Sequence, residues 1–101
     1  MYEAALAYEL TQRGMSIQRQ VLVPVVYRGI RFDEGFRADL IVENKVVVEL
    51  KSVERASPAH RKQIQTYLRL AGCKLGYLLN FGEALMKSGI TRAVNGLEEQ
   101  A

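Results

Sequence analysis

Residues 37–51 read RADLIVENKVVVELK. Two apolar runs, Arg37 to Val42 and Val46 to Lys51, flank Glu43-Asn44-Lys45, which is the pattern of an antiparallel hairpin. If the loop holds all three of those residues, with Asn44 or Lys45 in a left-handed conformation, Asp39 faces Glu49. Ile41 then faces Val47, and Arg37 faces Lys51. On the opposite side Ala38, Leu40 and Val42 meet Leu50, Val48 and Val46, a wholly apolar surface. A two-residue loop would slip every pairing by one and mix the two faces. The apolar side therefore selects the register that also gathers the polar groups.

Upstream, Glu3 to Arg13 reads as a helix. Leu6 and Leu10 lie four apart among helix-favouring alanines, and Gly14 is a plausible stop. Ile17 to Tyr27 is a valine-rich strand. Pro24 cannot donate to a ladder, so this strand is expected at an edge or bent there. Arg28-Gly29 is a turn, Ile30 to Phe32 resume the strand, and Gly35 suggests a bulge. Downstream, Ser57 caps a second helix with Pro58 in its first position. Ile64, Leu68 and Ala71 form its buried stripe and Gly72 ends it. Lys74 to Phe81 is a further strand. Ile90 to Val94 reads equally as a short strand or a turn of helix, and the tail Glu98 to Ala101 as mobile. The order is helix, strand, strand, strand, helix, strand. The expected class is α/β, more closely an α+β mixed sheet flanked by helices.

The length of 101 residues suits one domain, residues 1–101, with a thin core. No apolar run approaches a bilayer span, so no membrane partner is expected. The start MYEAALAYEL carries Glu3 and Glu9 and lacks the basic opening of a signal peptide, so a cytoplasmic location is expected. One cysteine and one histidine exclude an intramolecular disulfide and argue against a closed zinc site. A net charge of +3 permits nucleic-acid binding without requiring it.

Asp39 and Glu49 are the pair that needs a reason. Like charges directly opposite destabilise a sheet, and a bridging cation relieves that. Mg²⁺ suits such a pair, since it takes oxygen ligands and uses one or two carboxylates with water and phosphate. Lys51 follows Glu49 by two residues, on the same side of the strand. Its ammonium can stabilise charge on a phosphate or help deprotonate an attacking water. Glu49 and Lys51 by themselves are more commonly the pattern of a solvated salt bridge, and it is Asp39 that tilts the reading toward phosphodiester hydrolysis. Gln63 and Tyr67, four apart on one helix face, fit either a water-orienting pair or a half-buried interface pair. His60 shares roughly that face; an exposed helix position competes there with a general base. Glu3 and Glu9 lie about 240° apart around a helix, so at most one reaches a cleft.

The ordered set of Asp39, then Glu49-Leu50-Lys51, then Gln63 to Tyr67 (QIQTY) resembles the PD-(D/E)xK nuclease signature with its QxxxY element. With YEAAL, RQVLVPVVYRG, FRADLIV, VVVELKSVE, HRKQIQTYLRLAG and YLLNFG, the chain from Tyr2 to Gly96 is similar to the bacterial GxxExxxR family of that superfamily. The resemblance implies a restriction-endonuclease-like core and a nuclease using Mg²⁺ or Mn²⁺. It makes Asp39 and Glu49 metal ligands and Lys51 the catalytic lysine. Gln63 and Tyr67 become supporting site residues, and Glu3 the glutamate of the first helix, with Glu9 in reserve. Ala38 stands where the signature has proline. No complete G-x-x-E-x-x-x-R occurs, so the chain is expected to lack the family's N-terminal extension. The expected partner is nucleic acid, DNA first, with a homodimer possible through an open edge strand. The competing functions are an inactive nuclease-fold module that binds nucleic acid and a protein-interaction domain.

Overall fold

The computed structural model describes residues 2–55, 57–83 and 86–96. Helix α1 spans Tyr2–Gln12, followed by strands β1 (Ile17–Tyr27), β2 (Ile30–Val42) and β3 (Val46–Lys51). Helix α2 spans Pro58–Ala71 and leads into β4 (Leu75–Asn80). A 3-10 turn at Met86–Gly89 then precedes β5 (Ile90–Val94). The expected order holds with one strand added at the end, since Ile90–Val94 is a strand and not a helical turn. The tail Glu98 to Ala101 lies outside the described residues.

The strands lie in the order β1-β2-β3-β4-β5. Pairing is antiparallel except between β3 and β4, where α2 makes the crossover that parallel strands require. The β2–β3 register pairs Leu40 with Val48, Ile41 with Val47 and Val42 with Val46, as the apolar pattern anticipates. The loop differs in one respect: Glu43 and Asn44 take the left-handed conformation and Lys45 does not, closing a bond from the Lys45 amide to the Val42 carbonyl.

Strand β1 is an edge, and its register with β2 shifts between Val23 and Val25, where Pro24 has no amide to give. Gly35 sits against this irregularity. A Cβ there would stand 1.7 Å from the Val23 carbonyl oxygen, so the approach of the two backbones excludes any side chain.

Each face of the sheet carries one helix. Ile64 and Leu68 of α2 pack over Val23, Ala38, Ile41, Val47, Cys73 and Ala93. Ala7 of α1 packs with Leu40, Val42 and Val48 on the other side. Ser57 caps α2 and Gly72 closes it in the left-handed conformation, as the sequence signals. His60 completes that cap: its Nδ1 accepts the Ser57 amide at 3.1 Å, so the ring is half-buried in the helix terminus and not freely exposed. Among the described residues no helix is long and apolar enough to cross a membrane.

Leu68 is wholly buried at the centre of the α2 cluster. Leu68→Ala is expected to lower unfolding free energy by about 3 kcal/mol, measured by urea denaturation. A loss below about 1 kcal/mol would mean that α2 does not seal this core.

Candidate active site

The ladder between β2 and β3 stops at Leu40 and Val48. One step further, the Asp39 carboxylate takes over: its Oδ2 accepts the Leu50 amide at 2.8 Å. A side chain here replaces a backbone carbonyl as acceptor, which lets the strands part without orphaning the amide. The parting displaces two expected neighbours. Arg37 does not face Lys51, and its guanidinium donates to the Gln20 carbonyl at 3.2 Å. Ala38 packs in the α2 cluster and not beside Leu40 and Val42. Gln20, opposite Asp39, has φ +51, and this left-handed residue breaks the alternation between the Arg19–Leu40 and Val21–Ala38 pairs.

Glu49 is buried, 5% exposed, and its Oε1 meets no hydrogen-bond partner. Its pKa is pushed up to about 8, first by burial and then by the negative charge of Asp39 beside it. The charge of Lys51 acts in the opposite direction. The two carboxyl groups therefore adjoin, and the lysine lies within electrostatic reach.

The segment after Lys51 is clamped by Asn80. This side chain is fully buried, and its Oδ1 accepts the amides of Val53 at 2.9 Å and Gly82 at 3.1 Å. The Phe81 amide donates to the Lys51 carbonyl at 2.9 Å. Asn80 also pairs with Lys51 in the β3–β4 register.

On α2, Gln63 Nε2 donates to the Tyr67 hydroxyl at 2.8 Å. The Tyr67 ring stacks on Phe36 with centroids 3.7 Å apart. The phenol pKa is raised, first by burial and then by the charge of Glu49. Tyr67 thus borders the acidic pair, and Gln63 reaches it through Tyr67.

Glu3 comes to the site from α1. One oxygen pairs with Arg19 at 2.8 Å, and the other accepts the Gln20 amide group, which also lies 3.5 Å from Asp39 Oδ1. Glu3, Asp39 and Lys51 line one cleft of about 240 Å³ with Tyr2, Leu50, Ser52 and Phe81. Glu9 is not among its walls. A larger hollow of about 720 Å³ lies by Glu54, Arg55, Gly82 and Glu83, away from the acidic pair.

Among the described residues no three acidic, histidine or cysteine side chains converge as a ready ligand set. Asp39 and Glu49 nevertheless fit a hard divalent cation. A buried carboxylate oxygen without a partner, next to a second carboxylate, lacks a positive neighbour, and two carboxylates with water suffice for Mg²⁺.

Sequence reasoning missed Gln20 and Asn80. Asn80 had a signal, being the one polar residue inside the apolar run LGYLLN. Gln20 had none, because nothing in RQV marks a left-handed residue.

A family model described as the PD-(D/E)XK nuclease superfamily matches residues 1–93. The crystal structure of SSO0001 superposes with a TM-score of 0.66 at 22% identity. The match covers 96% of this chain and 50% of that one, so this chain spans about half its length. At that identity the likeness concerns the fold. No curated protein matches in sequence.

Two outcomes follow from this geometry. A carboxyl whose pKa rises on folding binds a proton more tightly in the native state. Its stabilising share is complete below the ordinary value of 4.5 and is lost as pH climbs to about 8. Without divalent ions, Glu49→Gln should remove that loss and exceed the parent by about 2–4 kcal/mol at pH 8. Urea melts across pH measure the difference, and parallel pH profiles would contradict it. Asn80→Ala removes the acceptor shared by two part-buried amides and empties a buried position, and should cost about 1–2 kcal/mol in the same assay.

Proposed function

Because the chain belongs to the PD-(D/E)XK nuclease superfamily, we propose that it is a nuclease using Mg²⁺ or Mn²⁺ to hydrolyse phosphodiester bonds, with DNA as its substrate. One observation carries this reading: the partnerless, buried Glu49 oxygen held against Asp39, with Lys51 two residues on. A structure without use for a cation gains nothing from that arrangement, since burial and like charge both oppose it.

In this reading Asp39 and Glu49 hold the ion. When bound, it supplies positive charge that polarises the phosphate and acidifies water. The Leu50 amide fixes Asp39 in place. Lys51 presents its ammonium to the scissile phosphate, and Asn80 keeps the chain after Lys51 in position. Tyr67, oriented by Gln63 and backed by Phe36, borders the acidic pair and steadies solvent there. Glu3 acts through Gln20, which links it to Asp39. Within the superfamily, the strings quoted from Tyr2 to Gly96 support the GxxExxxR family, with residues 1–101 read as one nuclease-like domain. The free, buried Cys73 agrees with a cytoplasmic setting. The open edge of β1 offers a surface for a homodimer.

A second reading, a nucleic-acid-binding module without turnover, draws on the engagement of both Glu3 oxygens by Arg19 and Gln20, which leaves two carboxylates for metal.

The test is Mn²⁺-dependent cleavage of labelled DNA. Asp39→Ala, Glu49→Ala and Lys51→Ala should each slow it at least about 100-fold while folding is kept. Calorimetry should show metal affinity rising with pH toward about 8, because Glu49 must release its proton to bind. Undiminished cleavage in all three variants would sink the nuclease reading. Salt-sensitive DNA binding with neither metal uptake nor products would establish the module instead.

A further inference from the structure

The cleft has a wall that the proposed hydrolysis does not use. The rings of Tyr2 and Phe81 stack with centroids 4.3 Å apart and planes 2° from parallel. Both line the same cleft as Asp39, Lys51 and Ser52. Tyr2 is brought there by the first turn of α1. Phe81 follows β4 directly and is fixed by the bond from its amide to the Lys51 carbonyl. The aromatic wall is therefore tied by one hydrogen bond to Lys51, which lines the same cleft.

The stack is not sealed. Tyr2 keeps 48% of its surface accessible, whereas a ring used only to pin α1 would gain by being covered. A half-exposed tyrosine stacked on a second ring, in a cleft that Lys51 also lines, matches the two parts of a nucleotide, a flat base and a phosphate. In a duplex the base faces are covered by their neighbours and the phosphates point outward, so one nucleotide cannot meet both features without leaving the stack.

We propose that Tyr2 and Phe81 form a platform for one unpaired nucleobase, so that the cleft takes a single-stranded end or flap in preference to the interior of a duplex. The proposal rests on the nuclease reading for its substrate class and adds the strand state that the cleft selects. Stacking is tolerant of base identity, so the preference concerns pairing and not sequence.

The experiment compares DNA hairpins with a blunt end and with a short single-stranded overhang carrying 2-aminopurine, bound to the full chain in EDTA. Expected are tighter binding of the overhang and a change in 2-aminopurine fluorescence on binding. Tyr2→Leu and Phe81→Leu, which keep apolar bulk and lose the ring, should weaken overhang binding roughly ten-fold and leave blunt-end binding unchanged. Tyr2→Trp should retain the preference, and thermal melts of each variant separate lost stacking from lost folding. Overhang binding by folded Tyr2→Leu equal to the parent overturns the platform, as does a parent without preference. Either result leaves the nuclease reading to the cleavage assay. A parent that binds neither hairpin at low salt overturns the platform and likewise leaves the nuclease reading to the metal-dependent cleavage assay.

Discussion

The bond from the Leu50 amide to the Asp39 carboxylate joins two demands on the same stretch of backbone. A sheet requires each buried amide to find an acceptor, and a cleft requires adjacent strands to separate. Asp39 meets both, because its side chain accepts where a carbonyl of β2 otherwise would. The strands part at the point where Glu49 turns inward, and the acidic pair is set by backbone geometry and not by flexible side chains. Asp39 could not be exchanged for an apolar residue without reconnecting or orphaning that amide.

Around this point the molecule distributes its polar side chains to hold backbone as much as to do chemistry. Asn80 satisfies two amides beyond Lys51, and Gln20 spans Glu3 and Asp39. His60 spends its Nδ1 on the helix cap. The groups left with unspent capacity are few. Among the described residues, the buried side-chain atoms without a partner are Glu49 Oε1 and Asn80 Nδ2. Both belong to strands whose register places Lys51 beside Asn80. Unspent polar capacity in a dry interior is costly, and here it collects at one end of the parallel strand pair.

Much of this was legible in the sequence, for a physical reason. Val42 and Val46 can meet on one side only in the register found, so the apolar pattern alone specifies the pairing. Ser57, Pro58 and Gly72 marked the ends of α2 because cap geometry depends on few residues. What escaped was set by tertiary context. The left-handed backbone at Gln20 has no local cause in an extended, valine-rich run, and so the turning aside of Arg37 and the shift of Ala38 could not be foreseen. The capping role of His60 is not legible in the sequence, because that position of the cap usually holds Glu or Gln. Strand β5 was ambiguous, since five residues sample too little periodicity to separate two secondary structures.

Helix α1 buries a single residue, Ala7, yet it delivers Tyr2 and Glu3 to the cleft. Helix α2 rests on Ile64 and Leu68, both within the core. The two helices therefore differ in how firmly they are moored. Amide hydrogen exchange in α1 should report detachment of that helix alone, at a free energy well below that of global unfolding. A complete cleft requires α1 to be docked, because Tyr2 and Glu3 are among its walls.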